Sequence, residues 1–192
     1  MKSFYFDTET GGLDPKHHAL LQIAWIIEND DNEIVVERSF DLAPEYDADI
    51  NLPALDVNGF TIERIKEGTP RAKVLETMRQ DVKSAVGGGG PLIPIGHNVR
   101  FDIDFLYRAA QRGTETFWLN FGNNDYLALR KPVCTLALSN YLSYCGMINV
   151  SDHKLITMCN YFSIPVIDAH DALADVRMTR HLFHALKRRI TC

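Results

Sequence analysis

Apolar residues recur along this chain in two rhythms, one of period two near the N-terminus and one of period 3.6 further on. Ser3 to Thr8 is aromatic-rich and alternates, the pattern of a strand, and Gly11-Gly12 closes it in a turn. Ala19 to Glu28 and Glu33 to Leu42 are further strand candidates, joined across Asn29-Asp30-Asp31-Asn32, a run of good turn formers. An antiparallel hairpin is the simplest arrangement for them. Ala43 to Phe60 shows no sustained period and contains Pro44, Pro53 and Gly59, so an irregular loop is expected there, with helical segments after it.

Thr69-Pro70 fits the cap and first residue of a helix that runs to about Val86, where Gly87 to Gly90 ends it. Pro91 to Gly96 is short and apolar, a buried strand, and Asn98 is placed to cap a helix from about Val99 to Arg112. The last helix is expected from about Ala172 to Lys187. Strands first, then strands alternating with helices, give an α/β chain with a mixed sheet flanked by helices. With 192 residues, 46% of them hydrophobic, and no internal repeat, the chain is read as one domain over residues 1–192.

Charge narrows the ways such a chain could meet a polyanion. A formal net charge of −5 is unlike proteins that hold nucleic acid on a broad basic surface, so any such substrate must be received locally, through bound cations. Cys134, Cys145, Cys159 and Cys192 have neither C-x-x-C pairing nor zinc-finger spacing, and are read as thiols of a reducing, cytoplasmic compartment. Asp7 follows the start too closely for a signal peptide, and the uncharged stretch Pro132 to Ser151 is too polar to span a membrane. No membrane association is expected.

Three segments carry candidate chemistry. Asp7 and Glu9 lie two apart at the end of the first strand, on one face of the sheet, where they can share a hard divalent cation. Taken alone, such a pair is more often a solvated strand end than a metal site. Asp102 heads an apolar stripe of Phe105, Leu106 and Ala109, and its burial there needs a cation or hydrogen bonds, although an acid at a helix start is also favoured by the macrodipole. Asp104 points elsewhere. Asp175 stands in line with Met178, Leu182 and Leu186 on the final helix. His170 belongs on the entering loop, as polar surface or as a base near neutral pH. Four carboxylates delivered where a sheet edge meets helix ends can hold two divalent ions for in-line phosphoryl displacement.

Phe6-Asp7-Thr8-Glu9-Thr10-Gly11-Gly12-Leu13, then His97-Asn98-Val99-Arg100-Phe101-Asp102, then His170 with Asp175 resemble, in order and kind, the three exonuclease motifs of the DnaQ-like family. The spacing His-x-x-x-x-Asp places the resemblance in the histidine (DEDDh) branch. It implies a ribonuclease H-like mixed sheet of about five strands flanked by helices, and a 3′-to-5′ exonuclease. By the same resemblance Asp7, Glu9, Asp102 and Asp175 would hold two ions, Mg2+ or Mn2+, with His170 as general base. Thr8, Thr10 and Leu13, and secondly Asn98 and Phe101, would contact the terminal nucleotide; plain core packing is the other reading of Leu13 and Phe101.

The implied substrate is the 3′ end of single-stranded nucleic acid, with DNA preferred over the RNA-trimming and oligoribonuclease alternatives. Leu52 to Thr61 looks similar to proofreading-type members, with Asn58 where many have histidine. A free-standing monomer or homodimer is expected, since no polymerase-docking tail is evident. Lys16, His17, His18, Arg108, Arg112, Lys187, Arg188 and Arg189 are candidates to track phosphates. Two other classes remain. A phosphatase with an aspartyl nucleophile would want Asp where Glu9 stands, and a silent nucleic-acid-binding module would not need all five site residues.

Overall fold

The computed structural model describes residues 2–44, 48–87, 89–111, 127–129, 131–167 and 171–191. Five strands, β1 (Ser3–Thr10), β2 (Leu20–Glu28), β3 (Ile34–Asp41), β4 (Ile93–Gly96) and β5 (Val133–Cys134), form a sheet of order β3-β2-β1-β4-β5. β1 pairs antiparallel with β2, and β2 with β3, as the hairpin pattern predicts, while β1–β4 and β4–β5 are parallel. The mixed sheet of the sequence reading is therefore present. The chain reverses direction across the sheet at β1, and ligands of open α/β sheets bind beyond the carboxyl ends of strands at such points.

Seven helices are described: α1 (Leu52–Asn58), α2 (Ile62–Lys66), α3 (Arg71–Val86), α4 (Val99–Gln111), α5 (Thr135–Tyr144), α6 (Leu155–Tyr161) and α7 (Ala172–Thr191). Alternation along β1 divides the core between the two faces of the sheet. Phe4 and Phe6 pack with α3 and α4 through Val74, Met78, Ile103 and Leu106. Tyr5 faces the other way, with Ala172 and Val176 of α7. Every residue of β2 is buried, which explains its nearly continuous apolar run.

Helix α1 lies inside the stretch expected to be irregular, and the residues that suggested a break are its boundaries. Pro53 sits in the first turn, where its missing N–H costs nothing, and Gly59 closes the helix with φ 68°. Helix α3 begins one residue later than expected, with Pro70 as its cap rather than its first residue. Asn98 precedes α4 in a left-handed conformation (φ 64°), and its carbonyl accepts the N–H of Phe101 at 3.0 Å. Arg112, placed at the end of this helix by the sequence, lies outside the described residues. No helix among the described residues is long and apolar enough to cross a membrane.

Helix α7 is pinned to the sheet by a buried carboxylate. Glu28, 2% exposed at the end of β2, accepts hydrogen bonds from Arg180 Nε (2.5 Å) and Tyr5 OH (3.2 Å), with His184 Nε2 at 2.9 Å. This anchor lies at the opposite end of the sheet from the acidic motifs.

Candidate active site

The carboxyl end of β1, the loop after β4 and the first turn of α7 converge at one end of the sheet. Asp7 and Glu9 project from the face of β1 that packs against α7, and Asp175 descends on them from one turn inside that helix. One carboxylate oxygen from each lies within 4.8 Å of the other two. All three residues are half-buried.

Asp102 arrives from the opposite face of the sheet. It is 3% exposed, and its Oδ1 accepts both the N–H (3.1 Å) and the hydroxyl (2.7 Å) of Thr8, the residue between Asp7 and Glu9. Of the four acids that the sequence reading put in one site, the structure thus places three in one cluster and the fourth beside it, joined through the strand itself. Phe105, Leu106 and Ala109, below Asp102, are buried as their spacing predicts, and so are Met178, Leu182 and Leu186 below Asp175.

Burial and mutual repulsion raise the pKa values of Asp7, Glu9 and Asp102. Burial first, then the charges of Asp102, Asp175 and Glu9, raise Asp7 well above the usual carboxylate range. Glu9 is pushed up to about 8, by burial and then by Asp175, Asp102 and Asp171. Burial also raises Asp102, to about 7, against the opposing hydrogen bonds from Thr8. An all-oxygen donor set that repels itself this strongly fits a hard divalent cation, which would neutralise it.

The loop after β1 is tightly built. A Cβ on Gly12 would come within 2.3 Å of the His18 ring, so only glycine allows the turn to close over that side chain. Thr10 Oγ1 donates to the Gly12 carbonyl at 2.7 Å. Leu13, at the crest of the turn, is 84% exposed and takes no part in the core. Phe101 is half-buried with its ring centroid 4.8 Å from that of Phe105, and Asn98 is exposed. Beside Asp175 lies a groove of about 460 Å³, lined by His97, Leu136, His153, Leu155 and Ile156 among others.

His97 has a structural part in this arrangement. Its Nε2 lies 2.9 Å from the His153 carbonyl and its Nδ1 2.9 Å from Thr135 Oγ1, and burial lowers its pKa. His170, the base candidate, lies outside the described residues; Asp171, next in sequence, caps α7 by accepting the N–H groups of Leu173 (3.1 Å) and Ala174 (3.2 Å). Asp104 pairs with Arg100 at 2.8 Å and stays out of the cluster. Of the basic candidates, Arg108 bonds Gln111 (2.7 Å) and Arg189 bonds the Met147 carbonyl (2.8 Å).

The family model described as Exonuclease (RNase_T) matches residues 4–183. The chain belongs to this exonuclease family. The resemblance to DnaQ-like enzymes read from the three motifs is borne out, as is the ribonuclease H-like fold. The exonuclease domain is 32% identical over 114 residues to Ribonuclease T of Hahella chejuensis, covering 56% of this chain and 52% of that one. It is 27% identical over 186 residues to the PolC-type DNA polymerase III of Oceanobacillus iheyensis, covering 96% of this chain and 11% of the polymerase. The fold superposes on E. coli Exonuclease I, solved with a dT13 oligonucleotide, with TM-score 0.80 and 20% identity over 99% of this chain and 42% of that one. The domain thus spans about half or less of the length of each of these three proteins.

Three residues beside the candidate site, Gln22, Asp41 and Arg64, escaped the sequence reading. Asn58, noted there only as standing where many relatives have histidine, has a structural part: it donates from Nδ2 to the Thr10 carbonyl (3.1 Å) and accepts the Phe60 N–H (3.2 Å), tying α1 to the end of β1. Gln22 bonds both Asp41 and Asp171 at 3.1 Å, and Arg64 clamps Asp41 with two bonds of 2.7 and 2.8 Å. Only Gln22 left a signal, as a polar residue inside an apolar strand.

Proposed function

We propose that this chain is a metal-dependent 3′-to-5′ exonuclease that shortens single-stranded nucleic acid and releases nucleoside 5′-monophosphates. The convergence of Asp7, Glu9 and Asp175, with Asp102 held beside them, carries this reading. In a chain of net charge −5, such a cluster repels a phosphodiester unless cations intervene.

Asp7, Glu9, Asp102 and Asp175 would hold two divalent cations, Mg2+ or Mn2+, which when bound supply positive charge to the attacking and leaving oxygens of an in-line displacement. Thr8 fixes the Asp102 carboxylate by its two hydrogen bonds. His170 takes the proton of the attacking water, and the 3′ oxygen of the preceding nucleotide leaves. Leu13 projects from the β1 loop, where its apolar side chain can meet the terminal base, with Asn98 and Phe101, at the start of α4, as further contacts. Thr8 and Thr10 are buried, their hydroxyls donating to Asp102 and to the Gly12 carbonyl, and by resemblance they too would contact the terminal nucleotide.

Such an enzyme works on a free 3′ end in a reducing, cytoplasmic setting, as a monomer or homodimer. Competition between 3′-hydroxyl DNA and RNA strands of one sequence, with chromatography of the products, tests the reading. Nucleoside 5′-monophosphates from one or both strands are expected, and the faster strand identifies the sugar. Internal fragments or nucleoside 3′-monophosphates would contradict it.

A further inference from the structure

Strand β2 contains two polar residues, Gln22 and Glu28, and each anchors α7 to the sheet. Glu28 does so at the far end of the sheet, Gln22 beside the acidic cluster. Gln22 is 2% exposed and stands opposite Glu9 in the β1–β2 register. Its Nε2 donates to Asp41 Oδ1 and to Asp171 Oδ2, both at 3.1 Å, and its Oε1 accepts the N–H of Ala172, the first residue of α7, at 2.8 Å.

The amide can point only one way. Carboxylates accept and do not donate, so the NH2 group must face Asp41 and Asp171 and the carbonyl must face the Ala172 N–H. Asp41 is held by the two-pronged contact from Arg64, which also lies over the Phe60 ring at 3.9 Å. On the other side, the Asp171 carbonyl accepts the Asp175 N–H at 3.0 Å. A continuous chain of hydrogen bonds therefore runs from α2 through β3 and β2 to the helix turn that carries Asp175. A buried amide costs free energy unless fully bonded, and an apolar residue would satisfy packing alone.

We propose that Gln22 is a positioning residue, which sets the distance between Glu9 and Asp175 and so the cation affinity of the cluster. This rests on the metal-site reading above. Residues that orient metal ligands at second hand alter affinity or activity by about 10- to 100-fold when lost.

The test uses Gln22→Met, similar in volume without the hydrogen bonds, and the milder Gln22→Asn, too short to make all three. Glu28→Gln, which weakens the other anchor of the same helix, is the control. Mn2+ binding by titration calorimetry, melting temperature in chelator, and kcat and KM on the better strand are read for each. In both Gln22 variants Mn2+ affinity and kcat should fall about tenfold or more, with KM within about threefold. Glu28→Gln should lower the melting temperature but leave Mn2+ affinity within twofold of wild type. Wild-type binding that the Gln22 variants match within twofold, or that Glu28→Gln weakens equally, overturns the positioning role alone. Absence of Mn2+ binding by the wild-type protein overturns the metal-site reading and this proposal with it.

Discussion

Thr8 and Asp102, 94 residues apart, are joined twice, because the N–H (3.1 Å) and hydroxyl (2.7 Å) of Thr8 both donate to the same carboxylate oxygen. The pairing brings an acid from one face of the sheet to the strand whose other face carries Asp7 and Glu9. Both bonds favour the charged form of Asp102, against burial that raises its pKa to about 7. Thr8→Val keeps the shape and removes the hydroxyl donor. It should cost about 1–3 kcal/mol of stability at pH 8, measured by urea unfolding, and move the acid limb of the activity profile to higher pH. An unchanged profile would show that this bond does not control Asp102.

Stability in chelator should depend on pH in a defined direction. Glu9 and Asp102 are raised in the folded state to about 8 and about 7, from unfolded values near 4. Groups shifted this way contribute stability that is complete below about pH 4 and lost as pH rises through about 7 to 8. A divalent cation competes with the protons for the same oxygens, so binding releases protons. The gain in melting temperature on adding Mn2+ should therefore grow from pH 5 to pH 8; a gain that is flat or shrinks with pH contradicts the reading.

Asp175→Asn should separate stability from activity. Removing one of the crowded charges relieves repulsion, and about 1 kcal/mol of relief raises the melting temperature in chelator by about 2–4 °C at pH 8 for a chain of this size. Strand hydrolysis should fall to background and the stabilisation by Mn2+ should be lost. A variant that is both less stable in chelator and still active would show that Asp175 belongs to the packing and not to the site.

At the far anchor, Glu28→Ala leaves Arg180 and His184 without the buried carboxylate they share, and should cost about 3–5 kcal/mol at pH 7 by chemical denaturation. A loss below 1 kcal/mol would mean that helix α7 is held to the sheet by its apolar face and the Gln22 contacts, with little from Glu28.

What the sequence disclosed follows the range over which each signal acts. The β2–β3 hairpin, α3 and α7 rest on local periodicity and turn residues, and the acids of β1, α4 and α7 stand out because they interrupt apolar patterns at helix or strand ends. Helix α1 was hidden because Pro53 and Gly59 read as breakers inside a segment and as caps at its ends. Asp41 and Arg64 act through partners distant in the chain, and their neighbours in sequence do not mark them; the resemblance marks Asn58, but not its bond to Thr10 across 48 residues. Helix α5 lies inside the stretch Pro132 to Ser151, which polarity excludes from a membrane without indicating its structure, and α6 follows it.

The central claim, that the acidic cluster hydrolyses a strand from its 3′ end with the help of divalent cations, is tested most directly by a time course on a 5′-labelled single strand in Mg2+, in Mn2+ and in chelator. A ladder that shortens one nucleotide at a time from the 3′ end in either metal, and an intact strand in chelator, is the predicted result. Shortening that persists undiminished in chelator, or intact DNA and RNA strands in both metals, would contradict it.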